Sequence, residues 1–161
     1  DIQVEQREYS RLTAKLFAES IFFHYATKFY FDHENIDAAD KFELGQGEYE
    51  EFKKYVLDQD FTYSTASEDM LEEFKETAED EGFLEDSEAE FKALLAKVVP
   101  STERDLDKFE TQIRRLLENE IVSRYFHQTG RAQHAFKDDK DVEKAIEILK
   151  DLEQYNTILG N

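Results

Sequence analysis

Apolar residues recur at helical spacing along most of this chain. Ser10 is a candidate N-cap, and Leu12, Leu16, Phe17, Phe23, Ala26 and Tyr30 then follow at spacings of three, four and seven. That pattern predicts a helix reaching about Asp32. Ile21, Phe22, Tyr25 and Phe29 fill the neighbouring face. So broad an apolar surface predicts a central helix contacted on more than one side. Asn35 to Gly47 reads as a connection punctuated by Gly45 and Gly47, with Phe42 and Leu44 anchoring it. Glu48 to Asp58 sets Tyr49, Phe52, Tyr55 and Val56 on one face of a short helix. Phe61 and Tyr63 follow in a brief extended stretch.

Thr65 and Glu68 form a T-x-x-E capping box. The helix it opens carries Met70, Leu71, Phe74 and Ala78 and ends near Gly82. Ser87 and Glu90 predict a second box, opening a helix with Phe91, Leu94, Leu95 and Val98. Pro100, the only proline, stops it. Ser101 then caps the longest predicted helix, which runs to about Thr129 and spans about 40 Å. Leu106, Phe109, Ile113, Leu116, Leu117, Ile121, Val122, Tyr125 and Phe126 form its stripe. Gly130 is the expected C′ stop. Ala132 to Asp138 carries no clear pattern. Asp139 caps a last helix with Val142, Ala145, Ile146, Leu149 and Leu152, and Tyr155, Ile158 and Leu159 continue its apolar face. At the start, Ile2 and Val4 alternate with polar residues, so residues 1–9 read as a linker or the end of an upstream domain. The expected fold is all-α: a single helical domain over 10–161, an irregular bundle of about six helices with one long helix near residues 101–129.

Composition supports a folded chain. Phe and Tyr number 14 and 8, and each buried ring contributes on the order of 2–3 kcal/mol. Charge narrows the partners. Asp and Glu total 39 against 20 Lys and Arg, a net charge of −19. Such a surface repels nucleic acid and anionic membranes. There is no cysteine, hence no disulfide framework or thiolate zinc site. The densest apolar window, Ile21 to Phe31, is broken by His24, Thr27 and Lys28, so no membrane span is expected. No signal peptide is visible. A start at Asp1 rather than Met predicts a fragment or processed form with any targeting signal upstream.

Candidate chemistry is sparse. Di-iron bundles need Glu-x-x-His pairs, yet Ile21, Tyr30, Arg124 and Arg131 stand three before the four histidines. The acidic stretch Asp32 to Asp37 lacks the ladder and central glycine of a calcium loop. No G-x-S-x-G occurs, and Ser10, Ser67, Ser87 and Ser101 sit where caps belong. Ser123 has no obvious base. His24, inside Phe22-Phe23-His24-Tyr25, reads as a hydrogen-bonded core or boundary histidine. No catalytic, cofactor-binding or metal-ligating residue is therefore assigned, and no cofactor is expected. The acidic run Glu72 to Asp86 reads as the solvated side of a helix, with a cationic partner as the sharper alternative. Arg124 and Arg131 flank Tyr125, Phe126 and His127; they suit an internal ion pair between helices or a docking contact.

Five segments together resemble the C-terminal region of carboxy-terminal processing (tail-specific) serine peptidases of the type found in Bacteroidetes-like bacteria. They are Leu16–Tyr30 (LFAESIFFHYATKFY), Glu48–Phe52 (EYEEF), Phe61–Ser67 (FTYSTAS), Leu116–Arg131 (LLENEIVSRYFHQTGR) and Asp138–Leu159 (DDKDVEKAIEILKDLEQYNTIL). These are packing patterns, not catalytic signatures, and no residue here matches the family's catalytic motif. The resemblance implies a PDZ domain and a protease domain with a Ser–Lys pair upstream, and a periplasmic or envelope-associated parent. It implies a non-catalytic accessory domain, whose partners are those upstream domains and the protein or peptide substrates of the parent. Expected docking contacts are Phe22, Phe29, Arg124, Tyr125 and Arg131. The alternative is a free-standing helical protein–protein interaction module.

Overall fold

Among the described residues three of the six predicted helices are broken once each, so six become nine. The computed structural model describes residues 8–137 and 139–159, with Asp86 described by its backbone alone. The expectation for residues 1–9 falls almost wholly on 1–7, outside the described residues. Among the described residues the elements are α1 (Arg11–Ala18), α2 (Ile21–Asp32), α3 (Gln46–Leu57), α4 (Ala66–Asp80), α5 (Leu84–Val98), α6 (Thr102–Lys108), α7 (Glu110–Ala135), α8 (Lys140–Lys150) and α9 (Leu152–Leu159), with no strand.

The breaks have local causes. Ser20 adopts φ 60°, a left-handed conformation that separates α1 from α2. Phe109, at φ −107° and ψ 18°, separates α6 from α7, so the single helix expected near 101–129 is two. Asp151 ends α8 and caps α9, its Oδ1 accepting from the N–H groups of Glu153 and Gln154, each at 3.1 Å. Gly130 does not stop a helix, because α7 continues to Ala135. The irregularity in α7 lies instead at His127, with φ 56° and ψ −155°. That region is essentially reserved for glycine and costs about 1–3 kcal/mol for another residue. A Cβ at Gly130 would collide with Phe126 Cβ. Glycine is thus required there for close approach around the His127 kink, not for a C-cap.

Most caps stand where expected. Ser10 Oγ accepts from Thr13 N–H, Thr65 Oγ1 from Glu68 N–H, Ser101 Oγ from Arg104 N–H and Asp139 from Val142 N–H. Ser87 is an exception. α5 begins three residues earlier at Leu84, and Ser87 Oγ donates back to the Phe83 carbonyl at 2.8 Å. Gly82, at φ 77°, ends α4: its N–H reaches Glu79 O and that of Phe83 reaches Ala78 O, a Schellman arrangement.

The chain forms two compact units. One contains Tyr9–Ile21 and Gly45–Arg114. In it α1 and α3 pack on α6, while α4 packs on α5. Leu12, Leu16, Tyr49, Phe52, Val56, Leu106 and Ile113 are buried. The Tyr49 hydroxyl donates to the Leu106 carbonyl at 2.8 Å, and Arg114 lies over its ring. The buried carboxylate of Asp105 accepts from Tyr63 Oη at 2.6 Å, Ser101 N–H at 3.1 Å and Arg104 Nε at 3.2 Å. These bonds fasten the extended segment before α4 to α6.

The other unit contains Phe22–Leu44 and the chain from Arg115 onward. Phe22, Tyr25, Ala26 and Phe29 of α2 are buried, as are Leu117, Ile121 and Val122 of α7. In the segment after α2, Ala39, Phe42 and Leu44 are buried as well. Phe42 meets Phe29 edge-on at 6.3 Å, so the anchoring expected of the connection is present. The helices α8 and α9 pack on each other.

Candidate functional site

α2 shows which of its rings face outward. Positions 22, 25, 26 and 29 repeat at helical spacing and form the buried face. Phe23, Tyr30 and Phe31 lie off it, with Phe23 53% and Phe31 80% exposed. The helix is therefore buried on one side and aromatic on the exposed side. Phe22 and Phe29, expected as docking contacts, are 1% and 3% exposed, so neither ring offers surface to a partner. The exposed rings of the helix are their neighbours Phe23, Tyr30 and Phe31.

Arg124 sits beside this exposed row. Its guanidinium lies 4.2 Å over the Phe23 ring. Nη2 donates to the Phe23 carbonyl at 3.1 Å, Nε to Thr27 Oγ1 at 3.3 Å and Nη1 to Ser123 Oγ at 3.2 Å. Glu120 pairs with Arg124 at 3.4 Å and with Arg131 at 3.6 Å. The second pair spans the His127 kink. Tyr125 donates to the His33 carbonyl at 2.6 Å and meets Tyr30 edge-on at 4.9 Å. Burial, then the neighbouring Tyr30, push the Tyr125 phenol up from its ordinary value. Arg124 and Tyr125 fasten α2 and the residue after it to α7, and Arg131 meets Arg124 on Glu120 within α7, across its kink. Phe23 and Tyr30 join them as the exposed ring surface.

A second polar cluster was not foreseen. His24, expected in the core or at its boundary, is exposed and only edges the Phe23 ring at 5.6 Å. The buried histidine is His134. Its Nε2 donates to the Phe42 carbonyl at 3.3 Å, and its Nδ1 lies 2.9 Å from Asn119 Oδ1. Glu118 accepts from Leu44 N–H at 2.9 Å and approaches His134 Nε2 at 3.6 Å. Lys137 pairs with Glu43 at 2.6 Å. That hydrogen bond and charge hold the Glu43 carboxyl below its ordinary range. Together these bonds hold the segment after α2 against α7. The only sequence hint of them is the polar trio Glu118, Asn119 and Glu120 within an apolar stripe.

Ser123 Oγ donates to the Glu120 carbonyl at 2.8 Å, and its other neighbour is a cation. Among the described residues, no group of three or more His, Cys, Asp or Glu could hold a metal ion. No described helix is long and apolar enough to cross a membrane. The cluster presents exposed aromatic rings, one of them braced by an arginine.

Among known proteins, residues 12–149 match the family model described as probable PDZ-protease, C-terminal helical domain. No curated protein and no solved structure matches the chain. With the match spanning both compact units and most of the 161 residues, the chain belongs to the C-terminal helical domain family of probable PDZ-proteases.

Proposed function

We propose that this chain is the non-catalytic accessory domain of a carboxy-terminal processing, tail-specific serine protease of the Bacteroidetes type. In this reading a PDZ domain and a protease domain with a Ser–Lys pair precede it in the same polypeptide. The domain positions them, supports assembly or helps receive a protein or peptide substrate. A periplasmic or envelope location accompanies the reading through the resemblance alone. The observation that carries the proposal is the family match over residues 12–149. The exposed rings of Phe23, Tyr30 and Phe31, beside Arg124, add a surface suited to docking against a neighbouring domain.

The test is a peptidase assay on the parent reading frame carrying Phe31→Ser. Phe31 is too exposed for that change to disturb the core. Weakened cleavage or assembly with unchanged helical content supports the docking role of this face. Unchanged cleavage and assembly removes it. A second reading, the free-standing interaction module, draws on the exposed apolar row Ile146, Leu149 and Leu152 of α8 and α9. A parent gene without upstream PDZ and protease segments would favour it.

A further inference from the structure

We propose that the α4–α5 hairpin is a docking surface for a cationic amphipathic protein segment, one that sets apolar anchors between Lys or Arg residues. The inference stands apart from the protease reading. It needs only this hairpin.

The two helices pack mainly on each other. Phe74 stacks on the buried ring of Phe91 at 6.3 Å, yet it is 58% exposed itself. Met70, one turn earlier on α4, is 69% exposed, and Leu94, one turn after Phe91, is also exposed. Positions 70 and 74, like 91 and 94, share a face by helical spacing. Apolar side chains on this hairpin are therefore left in solvent, beyond what its own packing covers. Phe83 at its turn is exposed as well.

Charge selects the occupant. Residues 66–98 carry twelve Asp and Glu against three Lys, almost half of the chain's net charge of −19. Two of those lysines are already paired, Lys75 with Glu79 and Lys92 with Glu88. At the hairpin turn, Glu79, Glu85 and Glu88 gather with Leu84 around an open cavity of about 490 Å³. Glu79 and Glu88 already face Lys75 and Lys92, so an incoming Lys or Arg head meets the surplus acid of the hairpin, Glu85 in this wall included, while Leu84 suits its aliphatic stem. A second copy of the hairpin would bring the same sign of charge and be repelled. An anionic segment is excluded likewise. A positively charged segment with apolar residues at three-to-four spacing satisfies both the exposed apolar positions and the acids around them.

The test uses the whole chain and fluorescein-labelled peptides read by anisotropy. The first peptide is built of Lys and Leu, with leucines recurring every three to four residues. The second has the same composition with the leucines scattered. The third replaces Lys by Glu. The first peptide is expected to bind, and the other two about tenfold more weakly or not at all. Met70→Ser and Leu94→Ser each weaken the first peptide, and Glu79→Gln with Glu85→Gln weakens it and flattens its salt dependence. Amide-exchange protection falls within residues 66–98. All these positions are exposed, and circular dichroism checks that each variant keeps its helices. Equal binding of the first and second peptides, with no loss in Met70→Ser or Leu94→Ser, would mean mere charge attraction and overturn the proposal. So would protection outside the hairpin.

Discussion

Arg124 joins α2 to α7 through one planar group. It stacks on Phe23 and bonds to the Phe23 carbonyl, Thr27, Ser123 and Glu120 at once. Replacing it by alanine strands Glu120 with Arg131 alone. The expected loss is about 2 kcal/mol, on the order of 4–8 °C in Tm. Arg124→Lys should not restore it, since an ammonium cannot reproduce the fork or the stack. Scanning calorimetry of both variants decides; full rescue by lysine would contradict the geometry. Gly130→Ala tests the kink in the same way. The added methyl meets Phe126, and overpacking of this kind costs about 1–3 kcal/mol, although alanine is the better helix former. Stabilisation by this substitution would show that the close approach does not exist. Asp105 supplies the pH-dependent case. Burial pushes its carboxyl up, but bonds from Tyr63, Arg104 and Ser101 outweigh burial and hold it below the usual range. A depressed folded value stabilises above the unfolded value of about 3.9 and is lost as pH falls through the folded one. Tyr63→Phe should therefore cost about 2 kcal/mol at neutral pH. The gap to the parent protein narrows as acid protonates Asp105. Urea unfolding at neutral and acid pH measures it, and a constant gap would argue against the bond.

Elements were legible where punctuation is chemical. Pro100 and Gly82 end helices, and Ser10, Thr65, Ser101 and Asp139 begin them. The breaks at Ser20, Phe109 and Asp151 contain neither glycine nor proline, so the apolar stripe runs through them unchanged. Phe109 even fits the stripe it interrupts. Asp151 was the visible one in principle, because an acid before Leu152 is a good cap. Asp151→Ala should cost about 1 kcal/mol. Amide exchange would show the loss as faster opening of α9 with little change in α1 to α6. Unchanged α9 protection would mean that the cap contributes nothing. α2 shows the opposite failure: aromatic richness on every side hid which face is buried. Positions 22, 25, 26 and 29 form the buried row, which placed Phe22 and Phe29 inside and His24 outside. Buried His134 lay in a stretch without pattern, and only the fold brings Phe42 and Asn119 to it.

For the whole molecule, apolar spacing announced an all-helical chain and composition a strongly acidic one, and the only regular elements among the described residues are helices. The packing motifs carried the coarser part of the resemblance, the C-terminal helical domain of a probable PDZ-protease, through buried faces and not through reactive groups. Family membership in turn gives the chain a context, the C-terminal helical part of a probable PDZ-protease. The cluster of Arg124, Tyr125 and Arg131 was readable from sequence as a unit. Its orientation was not, since inward and outward arginines have the same spacing. The central claim is that this domain works as part of the protease that carries it. The most direct test is a peptidase assay on the full-length parent reading frame, with and without residues 10–161, on a substrate with an unstructured C-terminus. The account predicts loss of cleavage or of assembly in the deleted form. Unchanged cleavage and assembly would contradict it.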